Sequence, residues 1–174
     1  MTNEARATAG LGPARNRWPR HRSRWGRWHA RAHANGSATS DEAGPTYAAL
    51  DLGTNNCRLL VARPTRDGFR VIDAFSRIIR LGEGVSSSAR ISEAAMERAI
   101  DALIVCRDKM RQRGVHRARL IATEACRSAE NGRDFVARVS DVVGLDLEII
   151  DRETEARLAA TGCTPLVDPQ AQGV

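Results

Sequence analysis

Between two apolar runs, residues 49–60 read ALDLGTNNCRLL, and the polar turn inside them is built from residue types that handle phosphate. A glycine-containing turn lets backbone N–H groups approach an anion with no side chain in the way, so Gly53 and its neighbours can cradle a phosphate. Thr54, Asn55 and Asn56 add short hydrogen-bonding side chains. Asp51, at the end of the first run, would face the same cavity and could hold a hydrated divalent cation. Arg58 brings a permanent charge whose planar fork fits phosphate oxygens. The alternative for Gly53 to Asn56 is an ordinary type I′ hairpin turn, which favours Asn and Gly anyway.

The elements that must position these residues follow from periodicity. Thr46 to Leu52 and Cys57 to Ala62 read as a hairpin buried on both faces. Arg66-Asp67-Gly68 is a second turn, and a third strand runs from Phe69 to about Arg80 with Phe69, Val71, Asp73 and Phe75 on one side. Leu81-Gly82-Glu83-Gly84 breaks the pattern, Glu83 serving the turn, and the serines at 86–88 extend the loop. Ser92 caps a helix with Glu93 in its first turn; Met96, Ala99, Ile100, Leu103, Cys106 and Met110 form its apolar face, and it ends near Gly114. Arg119 to Thr123 is a strand. Phe135, Val136, Val139 and Val143 mark a helix ending at Gly144. Leu145 to Ile150 is another strand, and Arg152 to about Thr161 a last helix with Leu158 and Ala159 inward. The order βββαβαβα, three antiparallel strands opening into alternating helix and strand, resembles the ribonuclease H-like half-domain of actin, sugar kinases and heat-shock ATPases, an α/β fold whose helices cover both sheet faces.

With 174 residues the chain is at most one ordinary domain. The net charge of +6 suggests nucleic acid until it is divided: residues 1–46 hold eight Arg against Glu4, Asp41 and Glu42, whereas the remainder holds 19 basic and 18 acidic residues. The basicity, together with Trp18, Trp25 and Trp28, belongs to a tail, residues 1–45, that lacks periodicity and is expected to be disordered. Alternating Arg and Trp could hold phosphates and stack on bases, or settle on an anionic membrane surface, or form a non-specific extension. Cys57, Cys106, Cys126 and Cys163 show no metal-ligand spacing and read as buried reduced thiols. No apolar run approaches the roughly 18 residues that span a bilayer, and no secretory signal is present, so a cytoplasmic protein is expected.

The segment ALDLGTNNCRLLVA resembles the first phosphate-binding motif of the exopolyphosphatase and guanosine pentaphosphate phosphohydrolase (Ppx/GppA) family. Four further segments fit in the same order: RIIRLGEGV, ISEAAMERAIDALIVCRDKM, LIATEACRSAENGRDFVARV and LDLEIIDRETEARLAATG. The resemblance covers roughly residues 46–163. It implies hydrolysis of a terminal phosphoryl group from inorganic polyphosphate, or of the 5′ γ-phosphate from guanosine pentaphosphate, with Mg2+; positioning and charge neutralisation carry such a reaction. It assigns phosphate binding to Gly53, Thr54, Asn55, Asn56, Arg58 and Arg127, metal binding to Asp51, and to Glu155 the catalytic role of orienting and deprotonating the attacking water. By sequence alone Glu155 also reads as a solvated glutamate near Arg152, and Arg127 as a surface ion pair with Glu124 or Glu130. Glu153 suits an i, i+4 pair with Arg157. Thr123 and Asn131, a strand-end threonine and an Asn-Gly cap, have ordinary structural uses. The T-x-A-x-R loop and the E-A-R-L glutamate argue against sugar kinases, which share D-x-G-T.

Asn56 stands where the family commonly has serine, and Thr154 where it has glutamate. After TPLVDP the family continues into a second phosphate loop, D-x-G-G-G-S, and a second actin-like half. Residues 46–174 are therefore expected to be the first half-domain alone, one wall of a cleft, with little or no turnover. The expected partners are polyphosphate or guanosine pentaphosphate, a second copy in a homodimer, or the missing half-domain, and no membrane. The competing reading is a half-domain that binds polyphosphate or nucleic acid without turnover, or a truncated product.

Overall fold

A computed structural model describes residues 44–66 and 68–164. The tail expected over residues 1–45 lies, except for Gly44 and Pro45, outside the described residues, as do Asp67 and the stretch after Thr164.

Five strands form one sheet in the order β3-β2-β1-β4-β5. These are β1 (Tyr47–Leu52), β2 (Asn56–Thr65), β3 (Gly68–Ile78), β4 (Arg117–Ala122) and β5 (Glu148–Ile149). β1, β2 and β3 pair antiparallel, while β1 pairs parallel with β4 and β4 with β5. This is the ribonuclease H-like arrangement that the element order implied. Two short helices add to that order: α1 (Val85–Ser88) and α3 (Glu124–Ser128) accompany α2 (Glu93–Gln112), α4 (Gly132–Val143) and α5 (Arg152–Cys163). The serine stretch read as loop is α1, where the Ser87 and Ser88 hydroxyls donate to the Gly84 carbonyl at 2.9 and 2.8 Å.

The core lies on one face of the sheet. Ala48, Leu50 and Leu52 of β1, Cys57, Leu59 and Val61 of β2, and Leu120 and Ala122 of β4 alternate inward against α2 and α4. The Ser92 hydroxyl caps α2 by accepting from the Ala95 N–H at 3.3 Å, and Met96, Ala99, Ile100, Leu103, Cys106 and Met110 are buried along it. Lys109 and Arg113, at its C-terminal end, both reach Asp73 of β3, at 2.8 and 2.9 Å.

Several expectations need correction. The first hairpin is buried on one face only: Tyr47 and Ala49 are exposed, so its strands alternate. Phe69 and Val71 do not share a side with Asp73 and Phe75. Val61 pairs with Asp73 and Ala62 with Val71, leaving Ile72 as a bulge that flips the strand's phase, and Phe69 and Val71 stand exposed. Only two residues of the 145–150 segment pair as strand, because Leu145 and Leu147 are spent on the core before pairing begins. None of α5 is buried: Leu158 is half-buried and Ala159 exposed. Cys163 is exposed, whereas Cys57, Cys106 and Cys126 are buried free thiols. The sheet's outer face, over Tyr47, Ala49, Leu60, Ala62, Pro64 and Phe69, is an open apolar depression of about 290 Å³.

Candidate active site

β1, β4 and β5 run parallel and end level with one another, in the register Leu52, Ala122, Ile149. Three chain segments leave this edge: Gly53 to Asn56 after β1, α3 after β4, and α5 after β5. Carboxyl ends of parallel strands are where open α/β sheets collect their ligands. Asp51, Gly53 to Asn56, Arg58, Arg127 and Glu155 all belong to these segments or to the strand residues beside them.

The loop is a four-residue turn closed by the Gly53 N–H donating to the Asn56 carbonyl at 2.9 Å. Thr54 and Asn55 have no positive φ, which excludes a type I′ turn. Instead the loop is held from behind by the segment leaving β3. The N–H groups of Ile79 and Arg80 both donate to the Asn55 carbonyl, at 2.8 and 3.0 Å, and the Gly82 N–H donates to the Thr54 carbonyl at 2.9 Å. A Cβ at Gly82 would come within 2.3 Å of Thr54 Cγ2, so a glycine there lets the two segments close up. Thr54 and Asn55 stay exposed and their side chains make no hydrogen bond among the described residues.

Asp51 and Arg58 are register partners across the hairpin, on the face turned away from α2. Burial raises the Asp51 carboxyl above its usual range; Arg58 opposes this shift and the Glu155 charge adds to it. Glu155 thus lies within electrostatic reach of Asp51. The Arg58 guanidinium is exposed and unpaired among the described residues.

Arg127, on α3, donates through Nη1 to the Ile150 carbonyl at 2.6 Å and through Nη2 to Glu155 at 3.1 Å and to Glu124. Glu124 also accepts from Arg152 at 2.9 Å and from the Ser128 hydroxyl at 2.6 Å. Arg152, then Ser128 and Arg127, pull its carboxyl down to about 2. Sequence reading offered Glu124 only as an alternative partner for Arg127; the structure makes it the hub that ties α3 to the start of α5. The Asp151 carboxylate caps α5 by accepting from the Thr154 N–H at 2.7 Å. Glu155 stays partly exposed and within electrostatic reach of Arg152, and Arg127 holds its carboxylate.

The weaker candidates resolve into structure. Asn131 does not cap α4 through its side chain but clamps Ile91, accepting from its N–H at 2.9 Å and donating to its carbonyl at 3.0 Å. Thr123 is buried and starts α3 with its carbonyl. Glu83 pairs with Arg98 at 3.0 Å, Glu130 pairs with Arg90 at 3.4 Å, and Glu153 and Arg157 form no ion pair. No group of three or more His, Cys, Asp or Glu able to hold a metal ion occurs among the described residues.

Against protein families, the model of the Ppx/GppA phosphatase family matches residues 60–174. The chain belongs to the Ppx/GppA phosphatase family. A guanosine-5′-triphosphate,3′-diphosphate pyrophosphatase of Photobacterium profundum is 32% identical over 118 residues, which are 68% of this chain and 24% of that protein. The crystal structure of the Aquifex aeolicus Ppx/GppA member aligns with TM-score 0.65 at 32% identity, covering 68% of this chain and 39% of that one. An exopolyphosphatase from Cytophaga hutchinsonii aligns with TM-score 0.62 at 30% identity, covering 65% and 36%. The chain thus spans a quarter to two-fifths of the length of these Ppx/GppA relatives. No helix among the described residues is long and apolar enough to cross a membrane.

Proposed function

We propose that this chain supplies the phosphate-binding wall of a phosphohydrolase that releases terminal phosphate from inorganic polyphosphate or the 5′ γ-phosphate from guanosine pentaphosphate. The observation that carries the reading is the meeting of Gly53 to Asn56, Asp51, Arg58, Arg127 and Glu155 at the level ends of three parallel strands. The names of the Photobacterium and Cytophaga relatives point to the two substrates.

In this reading the loop backbone beyond the Gly53 N–H, which closes the turn, joins the side chains of Thr54, Asn55 and Asn56 in holding the terminal phosphate, and the unpaired Arg58 adds its fork. Glu155 orients the attacking water and takes its proton. Arg127, already bonded to Glu155, holds that carboxylate in place and presents positive charge to the phosphoryl group. Asp51, partly buried and short of hydrogen-bond donors, suits Mg2+, which takes one or two carboxylates and completes its shell with water and phosphate oxygens. When bound, the metal neutralises charge on the phosphate oxygens. The half-domain boundary at residue 46 and a cytoplasmic location belong to the same proposal.

Because the chain spans well under half the length of its relatives, binding without turnover is the reading for this length alone, with the remainder supplied by a second half-domain or by a second copy in a homodimer. Malachite-green phosphate release and calorimetric binding, both with magnesium and either substrate, test the proposal. Binding that weakens in Arg58→Ala, with no release sensitive to Glu155→Gln, is expected. Release abolished by Glu155→Gln would overturn the one-wall reading, and absence of binding would overturn the phosphate site.

A further inference from the structure

Arg80 is the residue where chain geometry and unused charge coincide. It leaves β3 directly behind the loop, and its N–H donates to the Asn55 carbonyl at 3.0 Å. Its own carbonyl accepts from Arg98 Nη2 at 3.3 Å and from the Glu83 N–H at 3.1 Å. Both polar groups of its main chain are thus committed, one of them to the loop itself.

The backbone pinned in this way is strained. Arg80 has φ 48, and Ala89 is the other non-glycine residue with positive φ among those described. A side chain in the left-handed region costs free energy that glycine or asparagine would avoid, and such outliers gather at ligand sites. Nothing in the fold uses the Arg80 side chain to offset that cost. It is exposed and makes no hydrogen bond or ion pair among the described residues.

Neighbouring arginines are spent. Arg98 is bonded to the Ile79 and Arg80 carbonyls and to Glu83, and Arg127 to Glu124, Glu155 and the Ile150 carbonyl. Arg58 and Arg80 therefore hold uncommitted guanidinium groups on the two segments that make and back the loop. A strained backbone that fixes where a free cation starts, bolted to a loop whose Thr54 and Asn55 are exposed, is an arrangement for an anion.

We infer that Arg80 is a further phosphate-binding residue, which grips an oligophosphate chain together with the Gly53 to Asn56 loop. The inference rests on the phosphate-site reading above and adds to it a residue and a direction, toward the β3 exit. The strain offers a test with opposed signs. Arg80→Gly relieves the positive φ and removes the cation, so it should raise the thermal midpoint by a few degrees while weakening binding.

The experiment is titration calorimetry of the full chain with tripolyphosphate at low salt, alongside thermal denaturation, for Arg80→Ala, Arg80→Lys, Arg80→Gly and Arg58→Ala. Loss of a charge-assisted fork should weaken binding about tenfold in Arg80→Ala and Arg80→Gly, with Arg80→Lys intermediate. Arg80→Gly that binds weakly yet melts higher excludes unfolding as the cause. Binding that is weakened in Arg58→Ala but unchanged in all three Arg80 variants overturns the inference and leaves the site standing. Failure of the unsubstituted chain to bind, or indifference to both arginines, overturns the site reading and the inference together.

Discussion

Helices α2 and α5 are held to the same sheet by different forces. α2 buries a full apolar stripe against β1, β2 and β3, and two of its basic residues then close on Asp73. α5 buries nothing; Asp151 caps it, and Arg127 and Glu124 tether it by ion pairs to Glu155 and Arg152. One helix is part of the core, whose burial gives the fold most of its stability. The other is positioned by charge, which fixes direction at small energetic cost and yields to salt. A site carried on α5 can therefore be re-aimed by a ligand's own charges without disturbing the sheet.

The sharpest way to break this contrast is to delete the same side chain in both helices. Leu103→Ala, at a fully buried position on α2, should cost about 3 kcal/mol in urea denaturation, whereas Leu158→Ala on α5 should cost under about 1 kcal/mol. Equal costs would mean that α5 has packing partners and that the contrast is false.

Next in size is the ionic clasp on α2. Lys109 and Arg113 hold the Asp73 carboxyl down to about 2, against an ordinary 3.8. Its folded-state value is depressed, so its contribution is complete above pH 4 and is lost as pH falls toward 2. Asp73→Ala should cost about 1 to 2 kcal/mol at neutral pH. Its deficit relative to the natural chain should close between pH 4 and 2 in acid denaturation curves; a constant deficit would show that shape, not charge, ties β3 to α2.

Smallest are the caps. Ser92→Ala on α2 should lower global stability by about 1 kcal/mol. Asp151→Ala on α5 should barely move the denaturation midpoint yet speed amide hydrogen exchange across α5 several-fold. If both caps move the midpoint equally, α5 unfolds with the core and not ahead of it.

The contrast also marks what sequence could say. The hydrophobic spacing of α2 is a local signal, and it survived because burial on one face imposes it, whereas the short apolar runs of β1 and β2 read as two-sided burial and hid their alternation. The bulge at Ile72 left no mark, since one inserted residue changes no composition and reverses every side chain beyond it. The polar site behaves differently again. Asp51 and the loop were singled out by residue type, Arg127 and Glu155 by resemblance, and the family model's match begins at residue 60, beyond the loop. That Arg127 would hold Glu155, that Glu124 would bridge α3 and α5, and that Arg80 would back the loop depend on contacts between strand ends far apart in the chain. Such contacts have no period to read.

Gly82 and Thr54 are one inherited choice made at two positions. The space that a Cβ at 82 would fill is already occupied by the Thr54 methyl, so that methyl must turn or disappear before 82 can change. A library randomised at 82 alone should be enriched in glycine, while one randomised at both should admit more large residues at 82, joined to serine or glycine at 54. Change at 82 is then easier wherever the Thr54 methyl has already turned away or been lost.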